Sequence, residues 1–226
     1  MSGDSATVRR GRPPQTQEQA EEVRARIVEA TAAVFARNGS RGLSVAQIIE
    51  QAGLARPTFY RYFGNVSEPL HVVLTASNDG LVGAIRDALS GTDEPVQLGI
   101  RLIDAFIDWA RGHGPMLRPL FAELHDPGSL VSAYRERALD DIRALVRKTF
   151  VELGRPVPTP LDMDTALHVC EYVVYRLTMG TEPGSDPDPV LDSEARVTMI
   201  RVLLVTLGTR DDLSYAMELP GLFPEP

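Results

Sequence analysis

Twenty residues, Ser44 to Phe63, constrain this chain more than any others. They read as a short helix, a glycine turn and a second short helix. Ser44 is placed to cap the first helix, with Gln47 three residues on to reach back to it. Val45, Ile48 and Ile49 supply its apolar side, and Gly53 ends it. After Leu54, Ala55 and Arg56 comes Pro57, at the first helical position, where a missing N–H loses nothing. Phe59 and Phe63 alternate with polar and basic neighbours and are expected to plug a small three-helix core. The third helix of that unit is expected upstream, over Thr16–Asn38. Val23, Ile27, Ala30, Val34 and Phe35 recur there at helical spacing, between a Thr16–Gln19 capping box and an Asn38–Gly39 stop.

Turn signals divide the rest into further helical segments, with no convincing strand and no internal repeat. A fourth helix starts near Asn65 to Glu68 and runs through Leu70, Leu74, Leu81 and Ile85, with Pro69 tolerable in its first turn. Others are expected at about Pro95–His113, Pro115–Leu124, Ser129–Leu153, Thr159–Met179 and Asp188–Leu207. Gly180 to Pro189 reads as a loop, and the stretch after Gly208 as an irregular tail. The expected class is all-α, with a basic arm over 1–15, a helix-turn-helix domain over 16–65, a helical ligand-binding and dimerisation domain over 66–208, and a tail over 209–226.

A net charge of −8 looks wrong for a partner of nucleic acid, but its distribution corrects that impression. From Met1 to Phe63, nine arginines face six acids, leaving +3 there and −11 on the remainder. A basic head on an acidic body suggests a nucleic-acid-facing end. Lys148 is the only lysine, and arginine's rigid fork suits phosphates and guanine edges. The single cysteine, Cys170, excludes an internal disulfide and fits a reducing cytoplasm. No run of about 18 apolar residues is present, so no membrane span is expected.

In a DNA-binding helix-turn-helix the second helix lies in the major groove with its first residues near base edges. Arg56 can fork onto guanine O6 and N7, and Pro57 and Thr58 offer apolar contact to a thymine methyl. Tyr60 and Tyr62 can reach phosphates, and Arg61 can do either. Ser44, at the start of the first helix, joins this candidate DNA-binding set. The run Leu43–Phe63, with the long first helix ending Phe-Ala-Arg-Asn-Gly-Ser-Arg-Gly, resembles the signature of the tetracycline-repressor (TetR) family over about Ile27 to Leu74. Two positions depart from that pattern. Val66 stands where a phosphate-contacting lysine is common, and Ala55–Arg56 where a Ser or Thr cap is common. Upstream, Arg9, Arg10 and Arg12 in Arg-Arg-Gly-Arg-Pro-Pro resemble an AT-hook, which lies in a narrow, electronegative minor groove.

The resemblance implies a homodimer through the last two long helices, a palindromic double-stranded operator, and a small-molecule effector held among the middle helices. Trp109, Phe121, Tyr134 and Tyr172 are the candidate effector contacts, favouring a hydrophobic or amphipathic molecule; Arg118, Arg135 and Arg176 are candidate anchors for an acidic group. A repressor released by its effector is the expected mode. Co-repression, activation and a non-specific AT-hook-assisted architectural role stay open. No enzyme is expected. His71, His113, His125 and His168 lack metal-ligand spacing, no nucleophile elbow or phosphate-binding glycine loop is present, and no cofactor is called for. Asp140–Asp141 and Asp211–Asp212 read as solvated acidic faces.

Overall fold

The computed structural model describes residues 16–180 and 189–223. Among them are ten α-helices, one 3₁₀ turn and no strand. They are α1 (Gln17–Asn38), α2 (Val45–Ala52), α3 (Arg56–Tyr62), α4 (Ser67–Leu89), α5 (Pro95–Gly112), α6 (Leu117–Glu123), α7 (Leu130–Glu152), α8 (Pro160–Gly180), α9 (Pro189–Leu207) and α10 (Arg210–Met217). No helix among the described residues is long and apolar enough to cross a membrane.

Local chemistry sets most of these boundaries. Thr16 and Gln19 form the reciprocal capping box at the start of α1. Ser44 Oγ accepts from the Gln47 N–H at 3.3 Å, and Gly53 closes α2 in the left-handed conformation that glycine alone adopts at no cost. The segment expected over Pro115–Leu124 divides into a 3₁₀ turn, Gly114–Met116, and the short α6.

The stretch after Gly208 differs from the expectation of an irregular tail. It carries α10, which Thr209 and Asp212 open with a second capping box. Ala216 is fully buried and Leu222 nearly so, which anchors the segment to the body. Asp212 likewise is not part of a solvated acidic face. It is 8% exposed and forms an ion pair with Arg155, at the turn after α7. A sequence pass sees two adjacent acids; only the fold brings an arginine 57 residues away onto one of them.

α1, α2 and α3 form the head, around Ile27, Val34, Phe35, Ile48 and Phe59, all at 0% exposure. α4 belongs to both parts. Leu70 and Leu74 join the cluster that holds the head core, while Leu81, Val82, Ile85 and Leu89 join a second cluster with α5, α7 and α8. In the body α4 packs on α5 and α7, and α9 on α5 and α8. A displacement of α4 is therefore felt in both cores.

Candidate nucleic-acid interface

α3 is a seven-residue helix, too short to stand on its own propensity. Tertiary packing holds it: Phe59 is fully buried and Phe63 is 4% exposed. With that side fixed, Arg56, Pro57, Tyr60 and Arg61 emerge on the opposite face, and Thr58 and Tyr62 are half-buried. The Arg56 guanidinium lies 5.7 Å from the Tyr60 ring centroid and donates to its hydroxyl at 3.3 Å. Tyr62 packs against the core, which leaves it less available to a partner than Tyr60. Ala55 caps α3 with no side-chain bond, as its chemistry requires.

The head's positive charge divides by role. Arg24 lies over the Phe63 ring at 5.2 Å. Arg26 donates to the Ala52 carbonyl at 2.6 Å, a cation at the negative end of α2. Arg37 donates to Gln51 at 2.9 Å, and Arg41 pairs with Asp126 at 2.6 Å. Arg56 and Arg61 remain on the outer face of α3. Arg9, Arg10 and Arg12 lie outside the described residues.

At the start of α4, Val66 is partly buried against the core. The N–H groups of Gly64, Ser67 and Glu68 are already taken. Asn65 Oδ1 accepts from Ser67 N at 2.9 Å and Glu68 N at 3.2 Å, and Glu68 accepts from Gly64 N at 2.7 Å. A phosphate contact at this point would have to displace one of these side chains.

The head is tied to the body by a carboxylate that the sequence did not single out. Glu123, ending α6, accepts from Ser40 N at 2.8 Å, from Ser40 Oγ at 2.5 Å and from Ser129 Oγ at 2.5 Å. Ser40 lies in the α1–α2 turn, next to Arg41, whose partner Asp126 follows α6. No local pattern marks the contacts between head and body, because Ser40 and Glu123, and Arg41 and Asp126, lie more than 80 positions apart.

The four candidate effector residues do not converge. Tyr134 is buried to hold α4: its hydroxyl accepts from Thr75 at 3.2 Å and lies 2.9 Å from His71 Nδ1, and its carbonyl accepts from Asn78 at 2.6 Å. Trp109 donates to the Ser77 carbonyl at 3.0 Å, and His113 bridges Ser77 Oγ and the Trp109 carbonyl. Phe121 is core, and Tyr172 is 60% exposed on the outside of α8. An apolar cavity of about 80 Å³ lies instead between α4, α5, α7, α8 and α9, walled by Leu81, Ile85, Phe106, Ile142 and Met163 among others. Aliphatic core positions and Phe106 line it, and none of the four candidate residues does. Of the candidate anchors, Arg135 is an internal cation, bonded to both oxygens of Glu171 at 2.8 and 2.7 Å. Arg118 and Arg176 are exposed.

Residues 27–66 match the model of a family described as bacterial regulatory proteins, tetR family. The chain is 28% identical over 101 residues to the HTH-type transcriptional activator FasR of Mycolicibacterium smegmatis. That match takes in 45% of this chain and 46% of the relative, so it spans about half the length of the curated relative. Among solved structures, the fatty acid degradation regulator FadR from Bacillus halodurans superposes with a TM-score of 0.63 at 18% identity, over 89% of this chain and 98% of that one. SmeT, the repressor of the Stenotrophomonas maltophilia multidrug efflux pump SmeDEF, does so at 0.63 and 20% identity, over 90% and 96%. The stretch that matches the tetR-family model, residues 27–66, thus lies on the head, and the chain as a whole shares its fold with these regulators.

Proposed function

We propose that this chain is a homodimeric, sequence-specific DNA-binding regulator of transcription: a repressor released by a hydrophobic or amphipathic effector. The outer face of α3 carries the proposal. Arg56, Pro57, Tyr60 and Arg61 stand out on a helix whose other side Phe59 and Phe63 fix in the core. A rigid short helix with an arginine at its first turn suits insertion into a major groove. Arg56 would leave Tyr60 to fork onto a guanine, with Pro57 and Thr58 against a thymine methyl. Tyr60, Arg61 and Tyr62 would set register on phosphates, Ser44 would hold the start of α2 at the backbone, and Arg9, Arg10 and Arg12 would enter the neighbouring minor groove.

One such helix reads few bases, so two copies related by a two-fold axis and a palindromic site follow. The exposed apolar side chains Leu161, Tyr172 and Tyr175 on α8 and Val205 on α9 supply a surface for pairing. An effector would occupy the apolar cavity beside α4, biasing the separation of the two heads through the helix that both cores share. Hydrocarbon is the chemistry its walls suit. The resemblance to the Bacillus halodurans fatty acid degradation regulator and to a Clostridium perfringens putative fatty acid metabolism regulator supports an aliphatic effector. One observation favours a second reading, activation: the FasR relative is named as an activator.

The test is a competition shift assay on duplexes selected from a random pool. The regulator reading expects the selected site to bind about 10³-fold or more tighter than random duplex. Changing Arg56→Ala together with Tyr60→Ala should lower the affinity for the selected site by roughly 10- to 100-fold, with the far-UV spectrum unchanged. Equal affinity for selected and random duplex, or a folded double variant that keeps full affinity, would overturn the proposal.

A further inference from the structure

The apolar cavity is smaller than a groove of about 590 Å³ that opens to solvent between α4 and α7. The groove begins where Thr75 and Asn78 bond to Tyr134, and its last residues on the two helices are Arg86 and Lys148. Val82 and Leu145 give it apolar walls, and five exposed charges line it: Asp79, Arg86, Arg137, Asp141 and Lys148. No ion pair joins any two of the five. The side chains of Asp79, Arg86 and Asp141 have no bonding partner among the described residues. Arg137 bonds only to the Ala133 carbonyl of its own helix, at 3.3 Å, and its guanidinium lies 4.0 Å from the Tyr134 ring centroid. Lys148 meets Glu152 at 3.7 Å in an exposed pair. Elsewhere in the body Arg111, Arg143 and Arg196 each reach a carboxylate on a neighbouring helix. In the groove the charges of the two helices converge without meeting. Three cations against two acids is also a local positive excess, in a stretch, 64–226, that carries −11.

We propose that this groove binds a phosphate monoester of a sugar, free or within a nucleotide, with the phosphate on Arg86 and Lys148 and sugar hydroxyls on Asp79 and Asp141. Its volume is that of a small-molecule site. Arginine forks onto phosphate oxygens and lysine adds a mobile point charge, against a monoester charge of about −1.5 to −2 at neutral pH. The exposed pair of Lys148 with Glu152 is weak and yields readily to such a dianion. Ionised carboxylates only accept hydrogen bonds, so Asp79 and Asp141 call for donors on the same molecule. Inorganic phosphate would leave them unmet and be repelled by them; a free sugar would leave the cations unmet. The sugar ester satisfies both. Arg137, steadied on the Tyr134 ring, offers a planar cation on which the base of a nucleotide can stack. The site is separate from the apolar cavity, which Leu81, Ile85 and Ile142 of the same two helices wall, and its binding does not depend on the effector reading above.

The full chain is titrated calorimetrically, without DNA and at low salt, with ribose 5-phosphate, adenosine monophosphate, ribose and inorganic phosphate. One or both esters should bind about tenfold or more tighter than ribose and than inorganic phosphate. Similar binding of the two esters would assign the site to the sugar phosphate itself; tighter binding of the nucleotide would add the base on Arg137. Arg86→Gln together with Lys148→Gln, both at exposed positions, should weaken the ester by about tenfold or more and leave the melting temperature unchanged. Asp141→Asn separates a built site from a bare basic patch. The proposal expects it to weaken the ester but not inorganic phosphate, whereas on a bare patch the loss of an acid would tighten both. No saturation by either ester, inorganic phosphate binding as tightly as the esters, a folded double variant with full affinity, or an Asp141→Asn protein that binds the ester more tightly would each overturn the proposal. The four wild-type titrations decide the matter even if a variant does not fold.

Discussion

Replacing Gly39 by alanine sets a methyl carbon 2.6 Å from Glu123 Oε1. Two separate costs follow. Gly39 sits at φ 66°, ψ −176°, a region essentially closed to residues with a side chain, which costs about 1–3 kcal/mol. The carboxylate must also retreat, although it is held by Ser40 N, Ser40 Oγ and Ser129 Oγ at 2.8, 2.5 and 2.5 Å. Giving up about one hydrogen bond to a charged acceptor adds about 1.5–3 kcal/mol. Gly39→Ala should therefore destabilise by about 3–5 kcal/mol. Glu123→Ala by itself loses the clamp between head and body and should cost about 2–4 kcal/mol. In the double variant the methyl no longer meets a carboxylate, and only the backbone strain is added to the lost clamp. The double variant should fall short of the summed single effects by about 2 kcal/mol. Urea unfolding of the four proteins, followed by far-UV circular dichroism and by Trp109 fluorescence, measures this. Additivity within about 0.5 kcal/mol would refute the claim that Gly39 is required for the approach of Glu123 as well as for its own backbone conformation.

Two further outcomes follow from the buried titratable groups. Burial alone would raise the Asp212 carboxyl, but hydrogen bonds from Arg155 and Thr209 outweigh it and hold the group below the usual carboxylate range. Its contribution to stability is thus fully present above the ordinary carboxyl pKa and lost as pH falls through the lowered folded value. The melting temperature of Asp212→Asn should lie below wild type at neutral pH, and the gap should close in acid; a gap constant with pH would contradict this. Burial also pushes the Cys170 thiol up to about 12, so a thiol reagent at pH 8 should label the protein only after denaturation. Prompt labelling of the native chain would show that α8 is not packed as described.

The sequence alone determined what depends on neighbours in the chain. Thr16 with Gln19, Ser44 with Gln47, and Gly53 mark helix ends because caps and left-handed turns are made within a few residues. Phe59 and Phe63 were readable as plugs, and Arg56 and Tyr60 as the outward set, because a helix of known hand fixes which side chains share a face. Only the tertiary structure decided which residues meet across the fold. It placed Glu123 on Ser40 and Arg155 on Asp212, 83 and 57 positions apart. It turned Trp109 and Tyr134 into braces for α4, and it opened its cavities among leucines and isoleucines that read as ordinary core. The physical reason is that periodicity tells which side of a helix is buried but not what it is buried against. A charge or an aromatic ring acquires its role from that partner.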